Sequence, residues 1–356
     1  MTKTNSARSV ALLSQLSEAF GVSGFEDDVR HVISKLVQPL VDDVRVDPLG
    51  NLIVTRRGKP DFTLMLDAHM DEVGLIISYI EEKGFLRFAT LGGWDIRILP
   101  AQVVKIRTRQ GKLITGVIGS VPPHVLKPED REKPFKLEDL FIDVGASSIE
   151  EVQKMGIRVG DPAVPYYPFE QLSDNLVGGK AFDDRAGCAV AIRVLQELQK
   201  ENLALTLVCN FAIGEETGLR GARAAAYSIN PNVALALEGT IGADVPGVVP
   251  ARQPTALGKG PAITIADSSL VTSRRVVEAL EKIAEKLKIA YQYKLPVYGG
   301  TDAGAIHTTR GGILCGVLSV PCRYIHSQFS LLRLDDFENT VQLTVGFVRE
   351  GRELLS

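Results

Sequence analysis

The sequence predicts an α/β fold: a doubly wound, mostly parallel sheet interrupted by a small inserted all-β domain. Two observations lead there. After Asp174 helical and strand-like patterns alternate, as they do when crossover helices join parallel strands. From about Val73 to about Pro165 the long helical pattern is missing, and short β-like runs alternate with Gly and Pro turns. A chain of 356 residues, 45% of them hydrophobic, suits one large core with a second, smaller one. The expected division is residues 1–72 with 166–356 as a discontinuous main domain and 73–165 as the insertion.

Leu12, Leu13, Leu16 and Phe20 recur at helical spacing before Gly21, and Val29, Val32, Ile33 and Leu36 repeat the pattern after Ser23-Gly24. Two amphipathic helices therefore open the chain. Val41 to Val46, Leu52 to Thr55 and Thr63 to Leu66 are apolar runs separated by turns such as Pro48-Leu49-Gly50 and Gly58-Lys59-Pro60, and they read as strands. The last of them runs out at Asp67-Ala68-His69. The insertion supplies β segments at 75–80, 85–89, 103–108, 113–118 and 140–144; within it, Val121 to Glu138 is rich in Pro and charge and reads as a long exposed loop. Beyond Asp174 follow a helix over 184–200, a strand over 205–212, a helix over 219–227 and strands over 233–237 and 262–265. A helix over 272–287, strands over 290–293 and 314–320, and a helix over 335–354 complete the order.

A net charge of -3, from 40 basic and 43 acidic residues, leaves no polybasic surface for nucleic acid. No run approaches the roughly 20 apolar residues of a membrane span. The N-terminal run Val10 to Leu13 is broken by Ser14 and Gln15, too short for a secretory signal. Cys188, Cys209, Cys315 and Cys322 form no CxxC pair and sit in apolar surroundings, so buried reduced thiols and a cytoplasmic location are expected.

Five separated stretches place a metal-seeking side chain at or near a strand end: His69, Asp183, Glu215-Glu216, Glu238 and His326. Singly, each has an ordinary explanation. Asp183-Asp184 opens a helix, where one acid is a normal cap; two exceed what capping needs, and Asp183, in the connection, is the better bridging ligand. Gly214-Glu215-Glu216-Thr217-Gly218 follows an apolar strand, at the sheet edge where open α/β folds bind ligands. A helix dipole accounts for one of those glutamates, but two adjacent carboxylates in an apolar setting call for a cation. Asp71, two residues beyond His69, is placed to hold the imidazole. Together the residues read as a two-metal hydrolase with one glutamate left over as general base. His31, on a polar helix face, His124, in the Pro-rich loop, and His307, after Gly299-Gly300-Thr301-Asp302, stand outside the set, the last close to the expected pocket.

The motifs Ala68-His69-Met70-Asp71-Glu72-Val73-Gly74, Phe182-Asp183-Asp184-Arg185, Gly214-Glu215-Glu216, Leu257-Gly258-Lys259-Gly260-Pro261, Gly299-Gly300-Thr301-Asp302-Ala303 and Arg323-Tyr324-Ile325-His326-Ser327 resemble, in order, one group. That group is the tetrahedral, or glutamyl-aminopeptidase, family of dinuclear metallo-aminopeptidases, also called FrvX-like. The resemblance implies a peptidase domain interrupted by a β-domain that makes dimer contacts, with dimers assembling into dodecamers. It makes His69 and Glu238 ligands of one ion with bridging Asp183, Glu216 and His326 ligands of the second, and Glu215 the acid/base. Many relatives carry Asp where Glu238 stands. The implied cofactors are two divalent ions, zinc first, with cobalt or manganese also suited to mixed N/O ligands.

The implied activity is removal of N-terminal residues from peptides with a free amine. A deacylase or carboxypeptidase of the same two-metal chemistry is the alternative; a glycoside hydrolase, which needs two carboxylates flanking a sugar and no metal pair, ranks below both. Relatives divide among acidic, basic and aliphatic first residues; Lys259, Arg274 and Arg323 are candidate specificity charges. The Asp183-Asp184 peptide is a candidate for the cis form.

Overall fold

The computed structural model describes residues 3–130 and 133–355. Residues 131–132, inside the expected exposed loop, lie outside the described residues. At the centre of an eleven-stranded sheet four strands run parallel, in the spatial order Thr206–Ala212, Thr63–His69, Val233–Ile241 and Leu314–Arg323. Helices cover both of their faces, so their sequences are apolar at almost every position rather than at alternate ones.

Antiparallel strands flank this core. Leu52–Arg56 and Asp43–Val46 extend one side; Ser330–Arg333, Leu176–Gly179 and Glu170–Ser173 extend the other. Ala262–Thr264 pairs antiparallel with the outer parallel strand, and Gln292–Lys294 pairs parallel with Ala262–Thr264. The expected parallel pairing is found at the centre and again between Ala262–Thr264 and Gln292–Lys294. Connections as short as Asp174-Asn175 leave no room for a crossover helix and can only fold into hairpins.

One face is covered by the helices Lys3–Glu18, Asp27–Val37, Phe182–Glu197, Arg274–Leu287 and Leu334–Leu355, which pack over Leu64, Leu66, Leu235 and Leu318. The helix Arg274–Leu287 shows why: Val276, Val277, Leu280, Ile283 and Ala284 make one buried stripe. The other face takes only the shorter helices Arg220–Ile229 and Asp302–Ile306, over Met65, Ala234, Ala236 and Val317. No helix among the described residues is long and apolar enough to cross a membrane.

The insertion is a closed six-stranded barrel, in the order Gly74–Ile80, Leu86–Leu91, Phe141–Asp143, Leu113–Gly119, Val103–Arg107 and Pro162–Pro165. Leu75, Ile77, Val104, Ile106, Ile118 and Ile142 fill it. It also carries a helix absent from the sequence reading, Ile149–Met155, capped by the Ser148 hydroxyl accepting from the Glu151 amide and stopped by Gly156 in left-handed backbone. Seven residues hold too few turns for periodicity to show. The chain enters the barrel just after His69, and the return turn at Gly92-Gly93 brings barrel backbone against the main sheet.

Candidate metal centre

His69 is the last residue of its strand and pairs in register with Ala212, the last of the neighbouring one. The two chain ends therefore leave the sheet side by side, and Gly214, with φ 62°, turns the second chain so that Glu215 and Glu216 follow at the same edge. Glu238 comes from the next strand, but not from its end. The sequence reading stopped that strand at Leu237; it continues to Ile241, and Glu238 pairs with Ser319. Gly239, next along the strand, marks a close approach: a Cβ there would lie 2.5 Å from the Phe182 carbonyl oxygen. His326 follows the fourth strand, in left-handed backbone with φ 56°. Asp183 enters from the start of the helix Phe182–Glu197, where its peptide bond to Asp184 is cis.

All five residues expected as ligands meet here, with Glu215 beside them. Asp183 lies between the histidines: its Oδ1 is 3.2 Å from His69 Nε2 and its Oδ2 is 3.2 Å from His326 Nε2. Glu238 Oε2 is 3.7 Å from His69 Nε2, and Glu216 Oε1 is 3.3 Å from His326 Nε2. Two donor groups result, His69/Asp183/Glu238 and Asp183/Glu216/His326, each with atoms mutually within 4.8 Å. Glu215 Oε2, 3.8 Å from His69 Nε2, forms a third such group with His69 and Glu216.

The electrostatics fit divalent ions. His326 Nδ1 lies 2.8 Å from the Gly93 carbonyl and His69 Nδ1 lies 3.2 Å from the Asp71 carbonyl, so both rings donate Nδ1–H to backbone and turn Nε2 toward carboxylates. An Nε2 facing anions calls for positive charge there, from a proton on the ring or from a metal ion. Glu216 Oε1 is buried and has no hydrogen-bond donor in good geometry among the described residues, although His326 Nε2 lies 3.3 Å away. Burial pushes Glu215 up to about 8, with Glu216 and Asp183 adding to the rise against the pull of His69. Burial, then the Asp184 charge, holds Glu238 well above the usual carboxylate range. Burial works against protonating His326, but Asp183 and Glu216 outweigh it and push it up to about 11. All three shifts express one shortage of positive charge.

Asp71 does more than the sequence suggested. Its carboxylate stands 3.4 Å from His69 Nδ1, farther than its own carbonyl, and it accepts from the Ser23 hydroxyl at 2.5 Å and from the amides of Glu215 and Glu216 at 3.1 and 3.2 Å. It therefore joins the histidine turn to the glutamate turn. Asp184 is a cap and brace: it accepts from the amides of Gly187, Gly239 and His69. Arg185, fully buried, donates to the carbonyls of Met70, Leu16 and Ala19 and to Glu72, which also pairs with buried Lys180. The sequence reading missed this bracing of the 70–72 turn; an arginine and a lysine flanking a helix start in apolar sequence were the available signal.

The site opens into a cleft of about 440 Å³ lined by Asp183, Glu215, Glu216, Glu238, His326 and Lys294, among others. His31 and His124 are exposed, and His307 bonds through Nδ1 to the Ala303 carbonyl outside the cleft wall. None of the three charges expected for specificity lines it either: Lys259 is exposed, Arg274 pairs with Glu278, and Arg323 pairs with Asp244. Those pairings use up the charge locally.

Comparison with known proteins gives a consistent result. The family model for M42 glutamyl aminopeptidase matches residues 50–343. A lysyl aminopeptidase of Pyrococcus furiosus is 32% identical over 95% of this chain and 96% of its own. A glutamyl aminopeptidase of Lactococcus lactis is 32% identical over 90% of each chain. Among solved structures, a TET aminopeptidase from a marine sediment Thaumarchaeota archaeon superposes with a TM-score of 0.94, at 39% identity and 97% coverage of both chains. The Pyrococcus horikoshii TET1 peptidase, described as assembling into a tetrahedron or a large octahedral shell, gives 0.86 at 34% identity, covering 96% of this chain and 99% of its own.

Proposed function

The chain belongs to the M42 glutamyl aminopeptidase family and is a peptide-bond hydrolase, and from that premise we propose that it is a dinuclear metal-dependent aminopeptidase releasing residues from free peptide N-termini. The observation that carries the reading is Asp183, whose two oxygens each face the Nε2 of a different histidine at 3.2 Å. His69, Glu238 and Asp183 would hold one ion, and Glu216, His326 and Asp183 would hold the second. Zinc suits this mixed N/O set, as do cobalt and manganese. When bound, two divalent ions supply Lewis acidity and lower the pKa of a water between them.

Glu215 moves the proton. Its carboxylate takes it from the attacking water and hands it to the leaving amine nitrogen, a task that suits a carboxylate kept in low-dielectric surroundings beside the ligand set. Asp71 keeps the glutamate turn fixed to the His69 turn, so base and ligands hold one geometry. The free amine of the substrate docks in the acidic part of the cleft, among Glu216, Glu238 and Asp183, which limits cleavage to the first peptide bond.

We assign residues 73–165 as the inserted domain and the barrel to dimerisation, with dimers building a dodecamer. Leu113, Val117, Val121 and Val125 are exposed apolar residues on or beside its strands, a surface suited to another protomer. Four free, buried cysteines suit a cytoplasmic location. The test is a panel of aminoacyl chromogenic amides and their N-acetylated counterparts, with metal added or chelated. Metal-dependent cleavage of the free-amine set alone is expected. Cleavage of blocked substrates would establish the deacylase reading instead, and activity that survives chelation would exclude a metal mechanism.

A further inference from the structure

The structure describes four buried cations by residue exposure: Lys180, Arg185, Arg193 and Lys294. Three of them have carboxylates. Lys180 and Arg185 share Glu72, and Arg193 bonds Glu338 and Glu197. Lys294, only 4% exposed, has no hydrogen-bond or ion-pair partner among the described residues. A buried ammonium without a partner is costly, and a protein keeps one where something else completes it.

Lys294 lines the catalytic cleft. It ends the short strand Gln292–Lys294, in register with Thr264, just before the segment from Tyr298 to Thr301 that forms part of the cleft wall. Strand alternation fixes its side. Tyr293 turns outward to Glu281 on the helix Arg274–Leu287, so Gln292 and Lys294 face the other way. Gln292 is spent on the backbone of Ala256 and Gly260, which leaves Lys294 as the open polar group of that strand. The cleft wall also carries neutral residues, among them Leu219, Ile241, Ser269 and Tyr298.

We propose that Lys294 is the specificity-determining residue of the cleft and takes a carboxylate, that of an Asp or Glu side chain at the first position of the peptide. Family membership leaves this open, since relatives of equal identity carry the names lysyl and glutamyl aminopeptidase. The inference rests on the aminopeptidase reading. It divides the cleft by charge: the acidic wall takes the substrate's amine, and Lys294 takes the side-chain carboxylate. The same chemistry could be offered by the C-terminal carboxylate of a dipeptide, so the test separates the two sources.

The experiment compares kcat/KM for Glu-, Gln-, Leu- and Lys-anilides and for Leu-Ala against Leu-Ala amide, using the intact protein, Lys294→Met and Lys294→Glu. The unaltered protein should favour Glu over its isostere Gln by about 10- to 100-fold, the range of a charge-assisted hydrogen bond. Lys294→Met should bring the two to near parity, and Lys294→Glu should move the preference to Lys. Each ratio is taken on one preparation, so loss of folded protein cancels. Parity of Glu and Gln in the unaltered protein, which needs no variant, overturns the proposal, and so does a Glu preference that persists in Lys294→Met. A Leu-Ala preference over its amide that vanishes in Lys294→Met, without any Glu preference, gives the residue to the C-terminal carboxylate and overturns it too. Absence of cleavage of every free-amine substrate removes the aminopeptidase reading and the proposal with it.

Discussion

Replacing Asp71 by Asn tests whether one buried carboxylate holds the two halves of the centre together. Asp71 is wholly buried; burial raises its pKa, but His69 and the Ser23 hydroxyl outweigh that and keep it below the usual carboxylate range. Its Oδ1 accepts from the Glu215 amide, and its Oδ2 accepts from the Glu216 amide and from Ser23. An asparagine keeps one acceptor oxygen and puts an NH2 where the other stood. That NH2 must face at least one backbone amide, donor against donor, so one charge-assisted bond is lost and one buried donor is left unpaired. The loss is about 2–4 kcal/mol, from roughly 1.5–3 for the bond and 1–3 for the orphaned group, with partial relaxation. Outer partners of metal ligands are worth about 10- to 100-fold in affinity or activity. The expected result is a 10- to 100-fold fall in metal affinity by titration calorimetry, with a parallel fall in kcat, at the 10–100-fold scale just given. Unchanged affinity and unchanged kcat in a folded Asp71→Asn protein would refute the reasoning.

Two further outcomes are expected. Asp183→Ala removes the only carboxylate shared by both donor groups, so elemental analysis should find neither ion retained after dialysis; full occupancy would end the bridging assignment. Glu26 is buried, and that burial raises its pKa from 4.5 to about 7. The folded state therefore keeps a proton that the unfolded state releases, and this contribution to stability is present below pH 4.5 and lost as pH rises to about 7. Glu26→Gln, which retains an oxygen to accept from Gly24 and Gly214, should match the unaltered protein near pH 4.5 and exceed it above pH 7 by up to ~3 kcal/mol. Denaturant melts at both pH values measure it, and a pH-independent difference would contradict it.

Much of this arrangement was legible in the sequence because it rests on strongly local signals. His69, the Glu215-Glu216 pair and His326 each follow an apolar run long enough to identify a buried strand, and the carboxyl ends of parallel strands converge whatever the intervening sequence. What escaped depends on pairing between distant segments. Glu238 looked like a strand end because Gly239 serves a helix approaching from residue 182, which no local pattern reveals. The hairpin strands Glu170–Ser173, Leu176–Gly179 and Ser330–Arg333 are four residues each, too short to carry a period of their own. Lys294 was passed over in favour of Lys259, Arg274 and Arg323 because a sequence lists charges without showing which are already neutralised. Arg274 and Arg323 have carboxylates within reach; Lys294 has none among the described residues.

The central claim is that this chain holds two ions and keeps Glu215 free of them for proton transfer. The most direct measurement is metal content per chain, by elemental analysis, together with kcat on a free-amine substrate, for the unaltered protein and for Glu215→Gln. Two divalent ions in both proteins, with kcat lowered at least about 100-fold in the variant alone, is the expected result, the scale of a lost general base. Loss of an ion from Glu215→Gln would make Glu215 a ligand, as its third donor group with His69 and Glu216 permits, and unimpaired turnover would remove it from the chemistry; either contradicts the account.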